Sequence, residues 1–253
     1  MEILIIIGVI TGITVPAAYF NNKKKKLLSG PEIKSDICKL EVFLSLVNEA
    51  RKDYFRHSYE DELRVSYKDL YDKFASRPYK AISNHKVVKE FLNIYGCLDV
   101  FVVKWNATFV ENELSANVDL FNDIDGKSLD DQQRRAVVVD EDNNLVLAGA
   151  GSGKTLTISA KVKYLVEKKN INPEEILLIS FTRKSALEMQ ERISNRLKLN
   201  VETKTFHKLG LDIISQDRGK RPEPFEDLPG VIDRYFKEEV ANNKDVVRYL
   251  IEF

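Results

Sequence analysis

The sequence predicts an α/β fold with parallel strands, preceded by a helical region and an apolar N-terminal segment. Two short apolar runs are each followed by a helical pattern, and a glycine-rich loop comes directly after the first of them. Apolar residues with helical spacing fill most of the first half of the chain. Strand–helix order repeated in series implies a parallel sheet, because a helical crossover returns the chain to the same direction.

Composition limits the class of protein. The 253 residues are 43% hydrophobic and 31% charged, which excludes a collagen-like, low-complexity or wholly disordered chain. Lys+Arg and Asp+Glu are equal at 39 each, so binding to nucleic acid would depend on local basic patches. Cys38 and Cys97 cannot form a disulfide framework or a four-thiolate zinc site, which is typical of a reduced intracellular protein.

The first predicted element is a membrane anchor. Residues 3–20 carry no charge and, as a helix, would reach about 27 Å, close to the roughly 30 Å core of a bilayer. Four lysines, Lys23 to Lys26, follow the apolar run, an order that favours an uncleaved anchor over a signal peptide. We expect residues 1–22 to be a transmembrane helix with its N-terminus outside, and the remainder to lie at the cytoplasmic face of the membrane. The alternative is a buried N-terminal helix or strand in a cytoplasmic protein.

Residues 23–120 form the predicted helical accessory region. Apolar residues recur there at intervals of three and four in four segments, which places them on one face of each helix. Aromatic residues near Arg51, Lys52 and Arg56 are interpreted as core residues among solvated charges rather than as a nucleic-acid surface. The predicted core-facing residues are Ile37, Leu40, Phe43, Leu44, Val47, Leu63, Tyr67, Leu70, Tyr71, Phe74, Val87, Val88, Phe91, Leu92, Tyr95, Trp105, Phe109 and Leu114.

The turn-rich residues 122–127 mark the start of the α/β region, predicted over 121–216. Residues 145–148 and 176–179 are continuously apolar, as strands buried on both faces are. A helix is expected over 155–167 and another from Ala186 to Leu197, with a candidate third strand near Val201. Residues 217–253 are predicted to begin a further helical subdomain, after an exposed loop.

The loop after the first strand is a P-loop. It reads Ala148-Gly149-Ala150-Gly151-Ser152-Gly153-Lys154-Thr155, with Ala in place of the usual first Gly. The glycines allow successive backbone N–H groups to face a phosphate, and the helix that begins there adds its dipole. Lys154 is expected to contact the β- and γ-phosphates, and the Thr155 hydroxyl to bind Mg²⁺, so these two are the candidate catalytic residues. The predicted cofactors are ATP and Mg²⁺.

Three further blocks surround the P-loop in sequence. They are residues 129–137 (LDDQQRRAV), residues 179–186 (ISFTRKSA) and residues 205–207 (TFH). In this order and spacing, the four blocks resemble the front half of a superfamily 1 DNA helicase of the UvrD, Rep and helicase IV group. The resemblance implies an incomplete RecA-like domain, ATP-driven activity and translocation on single-stranded DNA with 3′ to 5′ polarity.

The same resemblance implies roles for individual residues. Gln133 corresponds to the glutamine that binds the adenine edge, since an amide can donate and accept together. An aromatic ring in the second block would stack on bases of any sequence. Phe206 is as compatible with a core position as with DNA contact, and Lys184, Lys204 and Lys208 are candidates for backbone phosphates or for a solvated surface. The implied DNA-binding residues are Phe181, Thr182, Arg183, Thr205 and His207.

Parts of the helicase pattern are missing from the sequence. It contains no convincing apolar strand that ends in an Asp-Glu pair (Walker B), and no second RecA-like domain with its arginine at the γ-phosphate. We therefore expect the chain by itself to bind nucleotide without rapid hydrolysis or unwinding. An N-terminal fragment of a membrane-tethered helicase is favoured over a complete small protein. The competing functions are a membrane-bound P-loop regulator and a scaffold whose helical region binds a protein partner.

Overall fold

The computed structural model describes residues 21–222, 227–243 and 247–248. This part of the chain divides into two compact units. The first contains the residues up to Pro173 together with Arg196–Leu199, and the second contains Glu174–Asn195 and the residues from Asn200 onward.

The first unit begins with a helical region. Residues 21–29 are helical. They are followed by α1 (Pro31–Ala50), α2 (His57–Ala75), a 3₁₀ helix (Arg77–Ile82), α3 (Lys86–Gly96), α4 (Leu98–Ala116) and α5 (Val118–Asn122). All four segments predicted from apolar spacing are therefore helices, with Pro78 in the 3₁₀ helix between α2 and α3.

The core of these helices is aromatic. Phe43 and Phe91 are fully buried and meet edge to face, with ring centroids 5.0 Å apart. Tyr71 and Tyr95 stack beside them at 4.7 Å. Phe55, beside Arg56, is also buried, so the interpretation of the aromatic residues as core is confirmed. Offset and edge-to-face pairs of this kind stabilise a core beyond their buried area.

The second half of the first unit packs on the end of α4. It consists of α6 (Asp131–Val138) and α7 (Lys154–Glu167). The chain enters it through a tight turn at Asp125 and Gly126, which have φ of 56° and 74°. The shared core contains Phe109, Val110, Phe121, Ile124, Val137, Val138, Leu156, Ala160 and Tyr164.

The segment predicted as the first buried strand is not a strand in the structure. Residues 145–148 have no regular secondary structure, and the side chains of Leu145 and Leu147 are 84% and 86% exposed. An apolar run becomes a buried strand only when neighbouring strands pair with it. In the described residues, the sheet contains β1 and β2 alone and leaves this segment unpaired.

The second unit contains a β-α-β arrangement. Strand β1 (Leu177–Ser180) is followed by α8 (Arg183–Glu191), a π-helical turn, and β2 (Glu202–Thr205), which pairs with β1 in parallel with Leu177 opposite Glu202. Helices α9 (Phe206–Arg218) and α10 (Leu228–Tyr235) follow. The α/β class, the parallel pairing and the strand after Val201 are confirmed. The predicted second strand is present as β1, but the prediction that it is buried on both faces is wrong, because Leu177 and Ile179 are 42% and 41% exposed on this small sheet.

The predicted localisation at a membrane is wrong. Within the described residues, no helix combines the length and the apolar character needed to cross a bilayer. The longest described helix, α1, carries Glu32, Lys34, Asp36, Lys39, Glu41 and Glu49, and charges of this number are costly inside a bilayer. The apolar residues 3–20, on which the prediction of an anchor rested, lie outside the described residues.

Candidate functional site

The P-loop occupies an exposed turn of the first unit. Gly151 and Gly153 have φ of 75° and 83°, a left-handed conformation that L-residues rarely adopt. No atom of the described residues outside the neighbouring chain lies within 4 Å of the position that a Cβ on Gly149 or Gly151 would take, so the turn is open on that side. Gly153 directly precedes α7, so the first amides of α7 follow the loop, as anion binding at a helix N-terminus requires.

Lys154 is folded back onto its own loop. Its Nζ donates to the carbonyl oxygens of Ala148, at 3.1 Å, and Gly149, at 2.6 Å. The Ser152 hydroxyl also donates to the carbonyl of Gly149, at 2.8 Å. The lysine ammonium is thus held within the loop by two backbone oxygens. Thr155 follows it in the first turn of α7 and is exposed.

Gln133 lies against the P-loop. Its Nε2 donates to the carbonyl of Ser152 at 3.0 Å, while its Oε1 accepts from the backbone N–H of Asp130 at 3.1 Å. The Asp130 carboxylate in turn accepts from the Gln133 backbone N–H, which completes a capping box at the start of α6. The capping box fixes the Gln133 side chain beside the loop.

In the second unit, Phe181, Thr182 and Arg183 connect β1 to α8. The Phe181 side chain is 86% exposed. Thr182 caps α8, because its Oγ1 accepts from the backbone N–H of Ser185 at 3.1 Å. The position of Arg183 at the first turn of α8 follows from this cap. The block therefore contains an exposed aromatic ring, Phe181, two residues before the exposed cationic side chain of Arg183.

Thr205 and His207 stand at the junction of β2 and α9. Thr205 caps α9 by accepting from the backbone N–H of Lys208 at 3.3 Å. Both residues line a cavity of about 480 Å³ together with Arg183. The structure thus brings together three of the five predicted DNA-binding residues. Phe206 is exposed, so of its two predicted positions the structure favours the surface over the core.

The cavity also contains residues that the sequence did not indicate. Arg221 and Gln190 contribute to its lining, as does Thr203, whose buried Oγ1 has no hydrogen-bond partner in the part of the chain that the structure describes. Lys204 forms ion pairs with Glu202 and Asp212, with Nζ–O distances of 2.8 and 2.9 Å. These two carboxylates raise the pKa of Lys204. No local sequence pattern signals a lining residue such as Arg221, because the cavity depends on how helices and strand pack.

Comparison with known proteins finds a family model that matches part of the chain. Residues 129–237 match the UvrD/REP helicase N-terminal domain. This part of the chain, here called the UvrD/REP segment, is similar in sequence to the N-terminal domain of UvrD and Rep helicases. The UvrD/REP segment contains Gln133, the P-loop and every predicted DNA-binding residue, whereas α1 to α5 lie outside it.

Similar proteins carry helicase names. The chain is 43% identical over 118 residues to DNA helicase IV of Escherichia coli, covering 46% of this chain and 17% of that protein. It is 36% identical over 118 residues to the putative ATP-dependent DNA helicase YjcD of Bacillus subtilis, covering 44% and 15%. It is 40% identical over 94 residues to the ATP-dependent DNA helicase Rep of Buchnera aphidicola, covering 36% and 15%. The chain thus spans about a sixth of the length of these relatives.

Proposed function

We propose that the P-loop of this chain binds ATP with Mg²⁺ and that its second unit binds single-stranded DNA, as parts of an ATP-dependent DNA helicase. The contact between Gln133 and the P-loop carries the proposal, since the amide lies 3.0 Å from the Ser152 carbonyl. An amide that can recognise a base, beside a loop that can bind phosphates, supports a nucleotide as the ligand rather than a free phosphate.

The nucleotide would be held by residues with distinct roles. Backbone N–H groups of residues 148–155 would bind the phosphates, and Gln133 would bind the adenine edge. Lys154 would exchange the carbonyls of Ala148 and Gly149 for phosphate oxygens. The Thr155 hydroxyl is suited to hold Mg²⁺, which would supply charge neutralisation at the phosphates.

Single-stranded DNA would be held by the second unit. Phe181 is suited to stack on a base, since its ring is exposed and stacking tolerates any sequence. Arg183, Thr205 and His207 offer polar groups in one cavity, and Thr182 supports the block as the cap of α8. Contacts between such groups and backbone phosphates would make binding dependent on salt.

The reaction of the whole enzyme is proposed from the family. We infer that ATP hydrolysis drives 3′ to 5′ translocation once an acidic Mg²⁺ ligand and an arginine at the γ-phosphate are present. The 253 residues alone are expected to bind ATP without rapid turnover. We retain the proposed division into a helical accessory region (23–120), an ATP-binding subdomain (121–216) and the start of an inserted helical subdomain (217–253).

The nucleotide site is tested by Lys154→Ala. Titration of a fluorescent ATP analogue with Mg²⁺ is expected to show binding weakened about 10- to 100-fold, because charge-assisted hydrogen bonds contribute about 1.5–3 kcal/mol. Lys168→Ala is the matched control, since Lys168 is an exposed lysine at the other end of the same helix. Equal affinity in the wild-type protein and Lys154→Ala would contradict the site.

The DNA site is tested by Phe181→Ala. Anisotropy of a labelled single-stranded oligonucleotide is expected to show affinity reduced about 5- to 100-fold, the loss of one stacked base. Phe236→Ala is the control, because Phe236 is also an exposed aromatic residue of the second unit but lies outside the implied blocks. A nucleotide-binding regulator without helicase function predicts no affinity for this oligonucleotide and no effect of nucleotide on it.

A further inference from the structure

The chain between α6 and the P-loop carries three consecutive acidic residues, Asp140, Glu141 and Asp142. All three bind the start of α2 in the helical region, 84 residues earlier in the sequence. Glu141 Oε1 accepts from the backbone N–H of His57 at 2.9 Å. Asp142 accepts from Ser58 twice, from its backbone N–H at 3.0 Å and from its hydroxyl at 2.9 Å.

These contacts supply the cap that α2 lacks in its own sequence. The N-cap position of α2 is Arg56, whose side chain makes no capping hydrogen bond. The first amides of a helix have no partner inside the helix and carry a partial positive charge. The carboxylates of Glu141 and Asp142 satisfy two of these amides. Hydrogen bonds from Ser58 lower the pKa of Asp142, so its carboxylate is charged at neutral pH.

Asp140 joins the helical region to the P-loop helix. Its Oδ2 lies 2.5 Å from Nη2 of Arg56, and its backbone carbonyl accepts from Nε of the same arginine at 3.0 Å. Its Oδ1 lies 3.3 Å from Nζ of Lys161 on α7. Burial raises the pKa of Asp140, but the hydrogen bond from Arg56 and the charge of Lys161 outweigh it and hold the pKa below its ordinary value.

The chain beyond this anchor is otherwise exposed up to the P-loop. Residues 142–152 are all exposed, and Leu145 to Leu147 have no strand partner among the described residues. The position at which the chain enters the P-loop therefore depends on the contacts of residues 140–142. This dependence links α2, which lies outside the UvrD/REP segment, to the turn that contains Lys154.

We propose that Arg56 and Ser58 are positioning residues for the nucleotide site, and that the helical region sets nucleotide affinity by anchoring residues 140–142. The inference rests on the proposed function, since it assumes that the P-loop binds nucleotide. Arg56 and Ser58 act through the loop and touch no nucleotide.

The test compares two arginine variants. Arg56→Ala removes the contact with Asp140, and Arg135→Ala removes an ion pair with Glu111 of α4, whose Nη2–Oε1 distance is also 2.5 Å. The two arginine side chains are 51% and 54% exposed, and each pair joins the helical region to the segment after residue 130. Only the first pair touches the chain that leads into the P-loop. Arg135→Ala therefore controls for the loss of a surface ion pair.

Two measurements report on the anchor. Titration of the 253-residue chain with a fluorescent ATP analogue and Mg²⁺ should show affinity about three- to fivefold weaker in Arg56→Ala, and within about twofold of wild type in Arg135→Ala. Hydrogen exchange without ligand should show faster exchange at the backbone amides of His57 and Ser58, which donate to Glu141 and Asp142, in Arg56→Ala alone. A general loss of stability would instead raise exchange in α6 and α7 in both variants.

A charge exchange gives a second, independent arm. Arg56→Asp and Asp140→Arg should each weaken nucleotide binding, and the double variant should recover part of the lost affinity, because the ion pair is restored with its direction reversed. If Arg56→Ala does not fold, Ser58→Ala removes the hydroxyl's hydrogen bond to Asp142 and should speed exchange at the backbone amides of residues 57 and 58 in the same way. Equal effects of Arg56→Ala and Arg135→Ala on both measurements overturn the inference.

The outcome separates this inference from the proposed function. If Lys154→Ala abolishes binding of the analogue but Arg56→Ala behaves as Arg135→Ala does, the site stands and the anchoring role fails. If Lys154→Ala leaves binding unchanged, the nucleotide site itself fails. Hydrogen exchange still decides in that case whether Arg56 anchors the loop, since it needs no ligand.

Discussion

Replacing Gly153 by alanine separates two reasons for a glycine at that position. The residue has φ of 83°, and an added Cβ would lie 2.7 Å from Nε2 of Gln133. Gly151 has φ of 75° and nothing within 4 Å of the same added atom. Gly151→Ala therefore carries the backbone strain alone, about 1–2 kcal/mol for a left-handed residue. Gly153→Ala carries that strain and a collision with Gln133.

The collision sets the expected difference between the two variants. A Cβ at 2.7 Å forces the flexible end of Gln133 to move, which breaks its hydrogen bonds to Ser152 and Asp130, of 3.0 and 3.1 Å. Net contributions of about 0.5–1.5 kcal/mol per bond, reduced by exposure to water, predict that Gly153→Ala is less stable than Gly151→Ala by about 1–2 kcal/mol. Gly153→Ala therefore loses one of the two hydrogen bonds of the capping box at α6, that from the Asp130 N–H to Gln133 Oε1, whereas Gly151→Ala keeps both.

Urea unfolding followed by circular dichroism measures the two free energies of unfolding, with equal m-values as the check that the same transition is compared. The double variant Gln133→Ala/Gly153→Ala removes the collision partner. Its loss of free energy of unfolding should therefore be smaller than the sum of the losses in the two single variants. Equal stability of Gly151→Ala and Gly153→Ala, or strict additivity in the double variant, would refute the close approach of Gln133 to the loop.

Three further predictions concern the first unit. Tyr164→Phe should lower its free energy of unfolding by about 1–2 kcal/mol in urea, because the lost hydroxyl donates to the part-buried carboxylate of Glu113. Burial raises the pKa of Asp36, but hydrogen bonds led by that from Lys73 hold this pKa below its ordinary value. The stabilisation from the charged carboxylate should therefore be complete above about pH 5 and decline below about pH 4. Asp36→Asn should flatten this decline when the free energy of unfolding is measured across pH. Leu147→Lys should change the free energy of unfolding by less than about 0.5 kcal/mol, because the Leu147 side chain is 86% exposed.

Each of these predictions has a contradicting result. Tyr164→Phe with wild-type stability would mean that the hydrogen bond from the Tyr164 hydroxyl to Glu113 contributes nothing net to the free energy of unfolding. An Asp36→Asn profile parallel to wild type from neutral pH to about pH 4 would assign acid unfolding to other carboxylates. A large loss of stability in Leu147→Lys would show that this leucine is buried in solution, and the exposed position described above would then be wrong.

The helices could be predicted from the sequence, but the conformation of the segment that leads into the P-loop could not. Phe43, Phe91 and their neighbours recur with the helical period, which is a local signal, and the structure buries them as expected. An apolar run such as residues 145–148 becomes a buried strand only through partners elsewhere in the chain. The contact of Arg56 with Asp140 spans 84 residues and has no local signature.

The candidate site, like the fold, could be predicted only in part from the sequence. The P-loop follows from glycines at fixed spacing, two of which take positive φ. Gln133 was implied by the resemblance to the helicase group, and the structure places its amide 3.0 Å from the Ser152 carbonyl. The roles of Phe181, Thr182 and Arg183 in binding DNA stay predictions. The cavity at α9 brings in Arg221 and Thr203, which no pattern indicated, since side chains from separate elements meet there only after packing.

The bonds of Lys154 to the carbonyls of Ala148 and Gly149 have a consequence for ligand choice. The cation is already solvated by the protein, so an incoming molecule must offer oxygens that are better than two neutral amides. Adenosine carries no anionic oxygen and should displace the two carbonyls from the Lys154 ammonium group poorly. Each added phosphate supplies charged oxygens that should displace them more readily. In the proposed nucleotide site, selectivity for a triphosphate would therefore begin with the hydrogen bonds that Lys154 already makes to its own loop.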